Sequence, residues 1–554
     1  LHERLDSPDT PVTDITASRR ATVSFALLLL LPAGLLYGAF LWNPIVFDDI
    51  YFFDGSIHTQ YLDKPFSLDL RWLPYATFEW TRALLGLDLI WYRLGNLALH
   101  LAVTVALFLL LRRLLEIVQA SSDGVTAAAS IDRPAFIAAL LFSLHPVAVY
   151  GVAYLTQRSI LMATLFALLT WRLFLEGLER RRQPWLLASA ATYFIAVHCK
   201  EHAVMVPAVC AALVLLTAHE RRGLLRLLSP VFAIYAAIGI ETAIKLKTGH
   251  VLGQAYEPVA GDLLERLGIS AGMAYPLSVV TQTLLYFKYL LLWLLPVSSF
   301  MSVDMYPDIA RRMVSWPETL GVLAFIAYPC VALWLLLRRG LAGLLGFALL
   351  CPWLLFLTEL STVRVQESFV LYRSYLWMPL LFAALPVLLR KLDGSRILLY
   401  GTVVALALLS QTVLRLQTFS NPLLLWDDAI RLVERSGTAR AGVERVYYNR
   451  GIMWERLGQH ERAIADQTRA IELSGPHGYY VGHALQNRGA ARMEVAQYQL
   501  ALDDFRRAAE MQPPNPKAFL GVARALQALR DPAATQAYAR ACAMGSAAAC
   551  GPQP

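Results

Sequence analysis

The sequence predicts an all-α protein of two parts, a polytopic transmembrane helical bundle followed by a C-terminal α-solenoid of short paired helices. Three observations carry this prediction. The 554 residues are 57% hydrophobic and only 16% charged, too apolar for a water-soluble chain of this length. About twelve runs approach the roughly 20 apolar residues that a membrane crossing needs. After Ser420 the composition turns polar, and small residues recur at a common spacing, as in a helical repeat.

Residues 1–20 read as a cytoplasmic tail, and the run 21–42 as a retained first helix, too long for a signal-peptide core. The further runs are 89–111, 134–152, 159–177, 184–198, 203–218, 227–245, 277–297, 318–337, 341–357, 369–389 and 397–415. The net charge of +8 comes mostly from short clusters between them: Arg112 with Arg113, Arg180 to Arg182, Arg221 with Arg222, and Arg338 with Arg339. Such clusters mark cytoplasmic helix ends rather than a nucleic-acid surface, so no nucleic acid is expected as a partner. The loops starting at Arg112, Glu179 and Glu220 are basic, which places segments 43–88, 153–158 and 199–202 outside the cytoplasm.

Twelve full crossings would return the C-terminus to the cytoplasm and leave Arg338, Arg339, Arg390, Lys391 and Arg396 outside, against the charge rule. The preferred reading is that one candidate near 246–297 does not cross fully, or that this stretch holds an extra crossing or an interfacial helix. Segments 299–317, 358–368 and everything after 416 are then outside. The membrane part is 21–416 and the repeat part 417–554. Heavy use of Arg over Lys favours a bacterial inner membrane with the repeats in the periplasm; a eukaryotic chain would belong in the endoplasmic reticulum membrane. Cys199, Cys210, Cys330 and Cys351 lie along membrane segments without ligand spacing and are expected to be small buried apolar residues.

In the polar part, Gly451, Trp454, Gly458, Ala463 and Ala470 form one unit, and Gly489, Arg492, Ala496, Ala501 and Ala508 a second at the same spacing, with Tyr498, Phe505 and Pro513. This is the tetratricopeptide pattern of small residues where paired helices touch. A third, degenerate unit around Ala534, Tyr538 and Ala541 suits a capping repeat. The run from Ala541 to Cys550 resembles the cysteine-paired units of Sel1-like repeats. That resemblance implies a Cys542–Cys550 disulfide and hence an oxidising compartment.

The strongest local signal for chemistry is Phe47-Asp48-Asp49, opening an outside segment that also holds Asp54, His58, Asp63, Asp69, Arg71 and Glu79. Adjacent carboxylates at a membrane face can serve as a general base, a metal site or both, or can be solvated loop acids. Charge also gathers at three other outside helix ends: Gln157-Arg158, Lys200-Glu201-His202, and Gln366-Glu367 with Tyr372-Arg373. Each ionisable group in a membrane helix costs roughly 2.5–3.5 kcal/mol, so their convergence on one leaflet asks for a reason. Cations there can hold the phosphate of a lipid-linked substrate, or can pair internally, Lys200 with Glu201 or Glu367 with Arg373. His145 before Pro146 is a weaker candidate, more often a hydrogen-bonded packing histidine than a catalyst.

These pieces together resemble the transmembrane and tetratricopeptide-repeat protein O-mannosyltransferases and their bacterial relatives, of the GT-C class of glycosyltransferases. The resemblance rests on Phe47-Asp48-Asp49, Leu73-Pro74-Tyr75-Ala76-Thr77-Phe78, Leu94-Gly95-Asn96 through His100, Leu141-Phe142-Ser143-Leu144-His145-Pro146, Gln157-Arg158-Ser159, Cys199-Lys200-Glu201, and Tyr286 to Leu290 with Pro296 and Asp304. Gln366-Glu367 with Leu371-Tyr372 completes it. Tyr372-Arg373-Ser374 stands where the family usually has Tyr-Leu-Pro-Ser. The resemblance implies a GT-C bundle whose first external loop carries the catalytic acid, Asp48 as base with Asp49 in support, acting on a sugar attached to polyprenyl phosphate.

The matching mechanism is in-line displacement with inversion: a carboxylate takes the acceptor hydroxyl's proton while the polyprenyl phosphate leaves. Arg158, Lys200 and Arg373 are the cations expected to stabilise that leaving group. Glu201 and Glu367 would orient them or the acceptor, Tyr372 would contact sugar or phosphate, and Arg71 and His145 are supporting candidates. A divalent metal, Mg or Mn, is an open question. The repeats would present a concave surface to a secreted or envelope protein acceptor. The alternatives are a GT-C enzyme with a lipid or polysaccharide acceptor, and a translocator of lipid-linked glycans with a docking domain.

Overall fold

The computed structural model describes residues 12–53, 67–120, 129–218, 223–255, 257–437, 440–475, 478–511 and 515–551. The start of the N-terminal tail, Asp54, His58, Asp63, the Arg221–Arg222 pair and Pro513 lie outside the described residues. Every regular element among the described residues is helical.

The apolar runs become helices in chain order. Among the described residues, eight helices are long and apolar enough to cross a membrane: Arg20–Gly38, Leu89–Ala120, Leu155–Arg180, Leu224–Thr248, Ala271–Leu294, Glu318–Leu337, Gly340–Ser361 and Gly394–Thr418. Two further runs bend, Ile131–Ser143 with Pro146–Val152 by 49° and Leu371–Trp377 with Pro379–Leu388 by 50°, so the number rises to ten if each pair is one span. Each bend falls at a proline that opens the second half. Proline lacks the N–H and its ring crowds the preceding turn, which breaks the helix there. Runs 184–198 and 203–218 give only the short helices Gln183–Cys199 and Val206–Thr217, with Lys200 at the junction.

The membrane helices share one large apolar core. Gly346 shows how closely they pack: a Cβ there would lie 2.2 Å from the Leu336 amide nitrogen, so helices Glu318–Leu337 and Gly340–Phe356 touch backbone to backbone. Cys199, Cys210 and Cys351 are buried as expected for small apolar residues. Cys330 is not; it is exposed on Glu318–Leu337, only 22% of whose apolar window is covered by protein, so this helix turns most of its apolar surface outward.

Helix Ala271–Leu294 forms an excursion whose two flanks meet one helix of the C-terminal stack. Before it, the Arg266 Nη1 lies 2.5 Å from Glu444 Oε1; after it, the Arg445 Nε lies 3.5 Å from Asp304 Oδ2. The chain therefore leaves and rejoins adjacent residues of one helix, Glu444–Arg456.

Beyond Thr418 the helices Pro422–Ser436, Glu444–Arg456, His460–Ser474, Val481–Glu494, Tyr498–Glu510, Pro516–Ala528 and Ala534–Ala543 stack in sequence, each against the next. Ala463, Ala470, Ala501 and Ala508 are buried where neighbours meet. Gly458 and Ala496, at the corresponding turns, both adopt the left-handed conformation (φ 68 and 56). The second unit also repeats an ion pair of the first: Arg450 holds Asp466 at 2.7 and 2.8 Å, and Arg488 holds Asp504 at 2.9 and 2.7 Å. Cys542 and Cys550 are joined as a disulfide. The stack is fixed to the bundle by Arg415, which donates to both oxygens of Asp428 at 2.7 and 2.8 Å and to the Met301 carbonyl at 2.7 Å.

Candidate active site

After the first membrane helix the chain makes a tight turn in which Phe47 takes a left-handed conformation (φ 54), and the two acids that follow point to different surroundings. Asp49 opens the short helix Asp49–Phe53 and is fully buried. Its Oδ2 accepts from the Leu155 amide at 3.1 Å and its Oδ1 from the Thr156 amide at 2.9 Å. Burial pushes its carboxyl up to about 7, against the pull of the two amides and of Arg93. Asp49 thus pins the loop to the turn that precedes helix Arg158–Arg180.

Asp48 takes no part in those bonds and is half-buried. It faces the buried Tyr154 hydroxyl, with Arg445, Glu367 and Asp304 around it. Burial raises its carboxyl above the usual range, Arg445 is the main opposing influence, and Glu367 and Asp304 add to the rise. Asp48 is therefore the acid of the pair with a side chain available for chemistry, and it holds a proton more tightly than a solvated loop acid.

Across from it lies a chain of alternating charges. Arg71 makes a two-pronged ion pair with Glu201. His202 lies 3.3 Å from Glu201 and 2.8 Å from Glu359, which in turn meets Arg364 at 3.4 Å and Arg373 at 3.1 Å. Arg373 also donates to the Glu367 carboxylate at 2.9 Å and to the Glu367 carbonyl at 3.0 Å. Burial would raise the Glu367 carboxyl, yet Arg373 and Arg445 hold it below the usual range. Lys200 differs from these. Among the described residues its Nζ forms neither a hydrogen bond nor an ion pair, and it lies 5.8 Å from the centre of the Tyr372 ring. Burial lowers its ammonium to about 7, with Arg71 acting the same way and Glu201 opposing. The Tyr372 ring is 6.1 Å from that of Tyr154, so two tyrosines connect Asp48 to Lys200.

Beside this chain opens a cavity of about 500 Å³. Arg71, Glu201, His202 and Arg364 line its polar end; Leu246, Leu252 and Leu357 line its apolar walls. One wall belongs to helix Leu224–Thr248, whose apolar window is only 22% covered by protein.

Two candidates are placed elsewhere. The guanidinium of Arg158 donates to Asn96 Oδ1 at 2.9 Å, Thr77 Oγ1 at 3.1 Å and the Tyr92 carbonyl at 2.8 Å, and stacks over Phe78 at 4.0 Å. It braces the helices that carry the loop and has all three nitrogens engaged by neutral acceptors. His145 has both ring nitrogens tied to backbone, Nε2 to the Trp293 carbonyl at 3.0 Å and Nδ1 to the Val147 amide at 3.2 Å, and stacks on Trp293. It is the packing histidine of the two readings.

Among the described residues the donor set does not fit a divalent ion. Among the described residues no three His, Cys, Asp or Glu side chains converge to hold one, and the acids near Asp48 are matched by guanidinium groups, Glu367 by Arg373 and Asp304 by Arg445.

Comparison with known proteins finds a partial likeness. The chain is similar to a protein O-mannosyl-transferase. That protein, "Protein O-mannosyl-transferase Tmtc3" of Drosophila melanogaster, is 28% identical over 167 residues, covering 28% of this chain and 18% of its own length. No protein-family model matches the chain. So partial a likeness to an O-mannosyl-transferase supports a glycosyltransferase-like function and a membrane setting.

Sequence reasoning missed several residues that the fold brings here. Glu359, the hub of the charge chain, ends an apolar run and has no charged neighbour in sequence to draw attention to it. Arg364 stands just before Gln366-Glu367 and was legible as part of that cluster. Asp304 figures among the motif residues without a role, and nothing in the local sequence of Arg445 separates it from any helix-surface arginine.

Proposed function

We propose that this chain is a GT-C membrane glycosyltransferase that moves a sugar from a polyprenyl-phosphate carrier to a hydroxyl of a secreted or envelope protein, with inversion. The observation that carries the reading is the division within the acidic pair: Asp49 is fully engaged by backbone, while Asp48 is half-buried, proton-affine and lies across two tyrosines from Lys200, a buried cation with no hydrogen bond or ion pair among the described residues. Asp48 accepts the proton of the acceptor hydroxyl as its oxygen bonds to the anomeric carbon. The bond from that carbon to the phosphate oxygen breaks, and its electron pair leaves with the polyprenyl phosphate. Lys200 and Arg373 face the leaving group, and the growing phosphate charge restores the Lys200 proton that burial weakens. The cavity walled by Leu246, Leu252 and Leu357 takes the lipid beside that phosphate. Arg71, Glu201 and Glu367 hold the cations in place.

The stacked helices after Pro422 read as tetratricopeptide-like repeats, supported by the recurring left-handed turns and the repeated Arg–Asp pair. In this reading they lie outside the cytoplasm with Asp48 and dock the protein acceptor. What supports the shared face is Arg445, which reaches both the Phe47 turn and Asp304. With the excursion 271–294 adding no net crossing, the basic Arg338–Arg339 turn falls on the cytoplasmic side, in keeping with the charge rule.

The test is intact-mass spectrometry of envelope proteins from deletion cells complemented with the wild type or with Asp48→Asn at matched expression. A protein heavier by one sugar only with the wild type is the expected result. Unchanged glycosylation with Asp48→Asn would remove Asp48 as the base.

A further inference from the structure

The stacked helices reach the Asp48 turn with one side chain. Arg445 is the second residue of helix Glu444–Arg456 and is buried. Its guanidinium lies 4.8 Å from the centre of the Phe47 ring, and its Nε is 3.5 Å from Asp304 Oδ2, which also accepts from the Tyr306 hydroxyl at 2.6 Å. Its Nη1 is buried with no hydrogen-bond partner among the described residues. This is a costly place for an arginine: the first turn of a helix carries the positive end of the dipole and disfavours cations, and a buried unmatched donor forfeits about 1–3 kcal/mol. Helix formation does not explain it, whereas the carboxylates opposite do. The neighbouring Glu444 fixes the turn from the other side through Arg266, which also donates to the Leu473 carbonyl at 2.8 Å.

We propose that Arg445 is a positioning residue for Asp48: it holds Asp304 and orients the Asp48 carboxylate, so the transfer centre is complete only with the C-terminal helices docked. The charged and titratable groups that face Asp48 are Tyr154 from the turn before helix Arg158–Arg180, Glu367 from the segment before Leu371, Asp304 from the return of the excursion, and Arg445. Of these, Arg445 alone is a cation, and its neighbour Glu367 is already paired with Arg373. The proposal rests on Asp48 as the base, and it needs a readout that does not depend on transfer.

Carbodiimide and glycine ethyl ester footprinting of the full chain in detergent, read by peptide mass spectrometry across pH, reports the midpoint at which Asp48 protonates. Arg445→Gln is expected to move that midpoint up by about one unit or more, since loss of an opposite charge at this range favours the neutral acid. Arg445→Lys should fall between Arg445→Gln and the wild type. Asp304→Asn should move the midpoint down, because it removes a like charge and frees Arg445 for Asp48. Shifts in opposite directions are not produced by mere loosening of the fold, and the Asp304→Asn arm serves if Arg445→Gln does not fold. An unchanged midpoint in the folded variants, or shifts of one sign, overturns the proposal. Failure of the Asp48→Asn glycosylation test would instead overturn the assignment of the base and leave these midpoints as they are.

Discussion

Asp48 and Asp49 stand next to each other with the same functional group, and the fold gives them unlike work. Asp48→Asn removes the proposed proton acceptor while touching no backbone bond; transfer is expected to fall by about 10²–10⁴-fold with the unfolding temperature unchanged, as followed by acceptor mass and by thermal unfolding in detergent. Asp49→Asn replaces an oxygen that accepts a backbone amide with an NH₂ group that cannot, at a cost of about 1–3 kcal/mol, so its unfolding temperature should drop and transfer should fail with it. Asp48 must be ionised to act, and its proton affinity is raised; the acid limb of transfer against pH should therefore lie above the ordinary carboxylate range, activity being full above the raised pKa and lost as pH falls through it. The sequence made the pair legible because two carboxylates beside a membrane helix are rare. The split in roles was not legible, since it depends on the amides of Leu155 and Thr156, far along the chain.

At the scale of elements, the breaks in the helices matter more than the helices. Lys200 sits where Gln183–Cys199 stops, Tyr372 and Arg373 sit at the start of the bent pair, and Glu359 sits in the short turn that ends Gly340–Ser361. Chain ends of this kind free backbone groups and let charged side chains meet, which the interior of an apolar helix does not. Glu359 is the partner of Arg364, Arg373 and His202 together, so Glu359→Gln leaves two buried guanidinium groups short of one charge. A loss of about 3–5 kcal/mol is expected, measured as lower thermal stability, and Glu359→Asp should recover part of it. Proline positions showed in the sequence where the bent spans occur. The gathering of charged helix ends and the Glu367–Arg373 pair showed in the sequence; the links through Arg71 and Glu359 did not, because they join segments far apart in the chain. His145, beside a proline and weak as a candidate for chemistry, ties a break to Trp293.

For the whole molecule, composition alone was sufficient to specify a helical membrane protein with a polar helical tail, because apolar run length is set by bilayer thickness and leaves little freedom. Whether each run crosses was less legible. Helix Ala271–Leu294 is long and apolar enough, and only the contacts of Arg266 and Arg445 with its flanks show the chain coming back to the same helix. The expected consequence is that Ser270→Cys and Arg311→Cys, exposed positions on the two flanks of the excursion, react with a membrane-impermeant maleimide from the same side of sealed vesicles. Labelling of the two from opposite sides would mean that the excursion carries the chain across.

The anchoring of Arg445 beside the Phe47 turn also bears on biosynthesis. The ribosome delivers Asp48 early and Arg445 only after the final membrane helix has emerged. A chain released after Thr418 would carry every apolar helix into the bilayer, yet would leave the Asp48, Asp304 and Glu367 carboxylates gathered without the guanidinium they share. Prematurely ended products would then be inserted and inert, and sugar transfer would begin only once translation is complete.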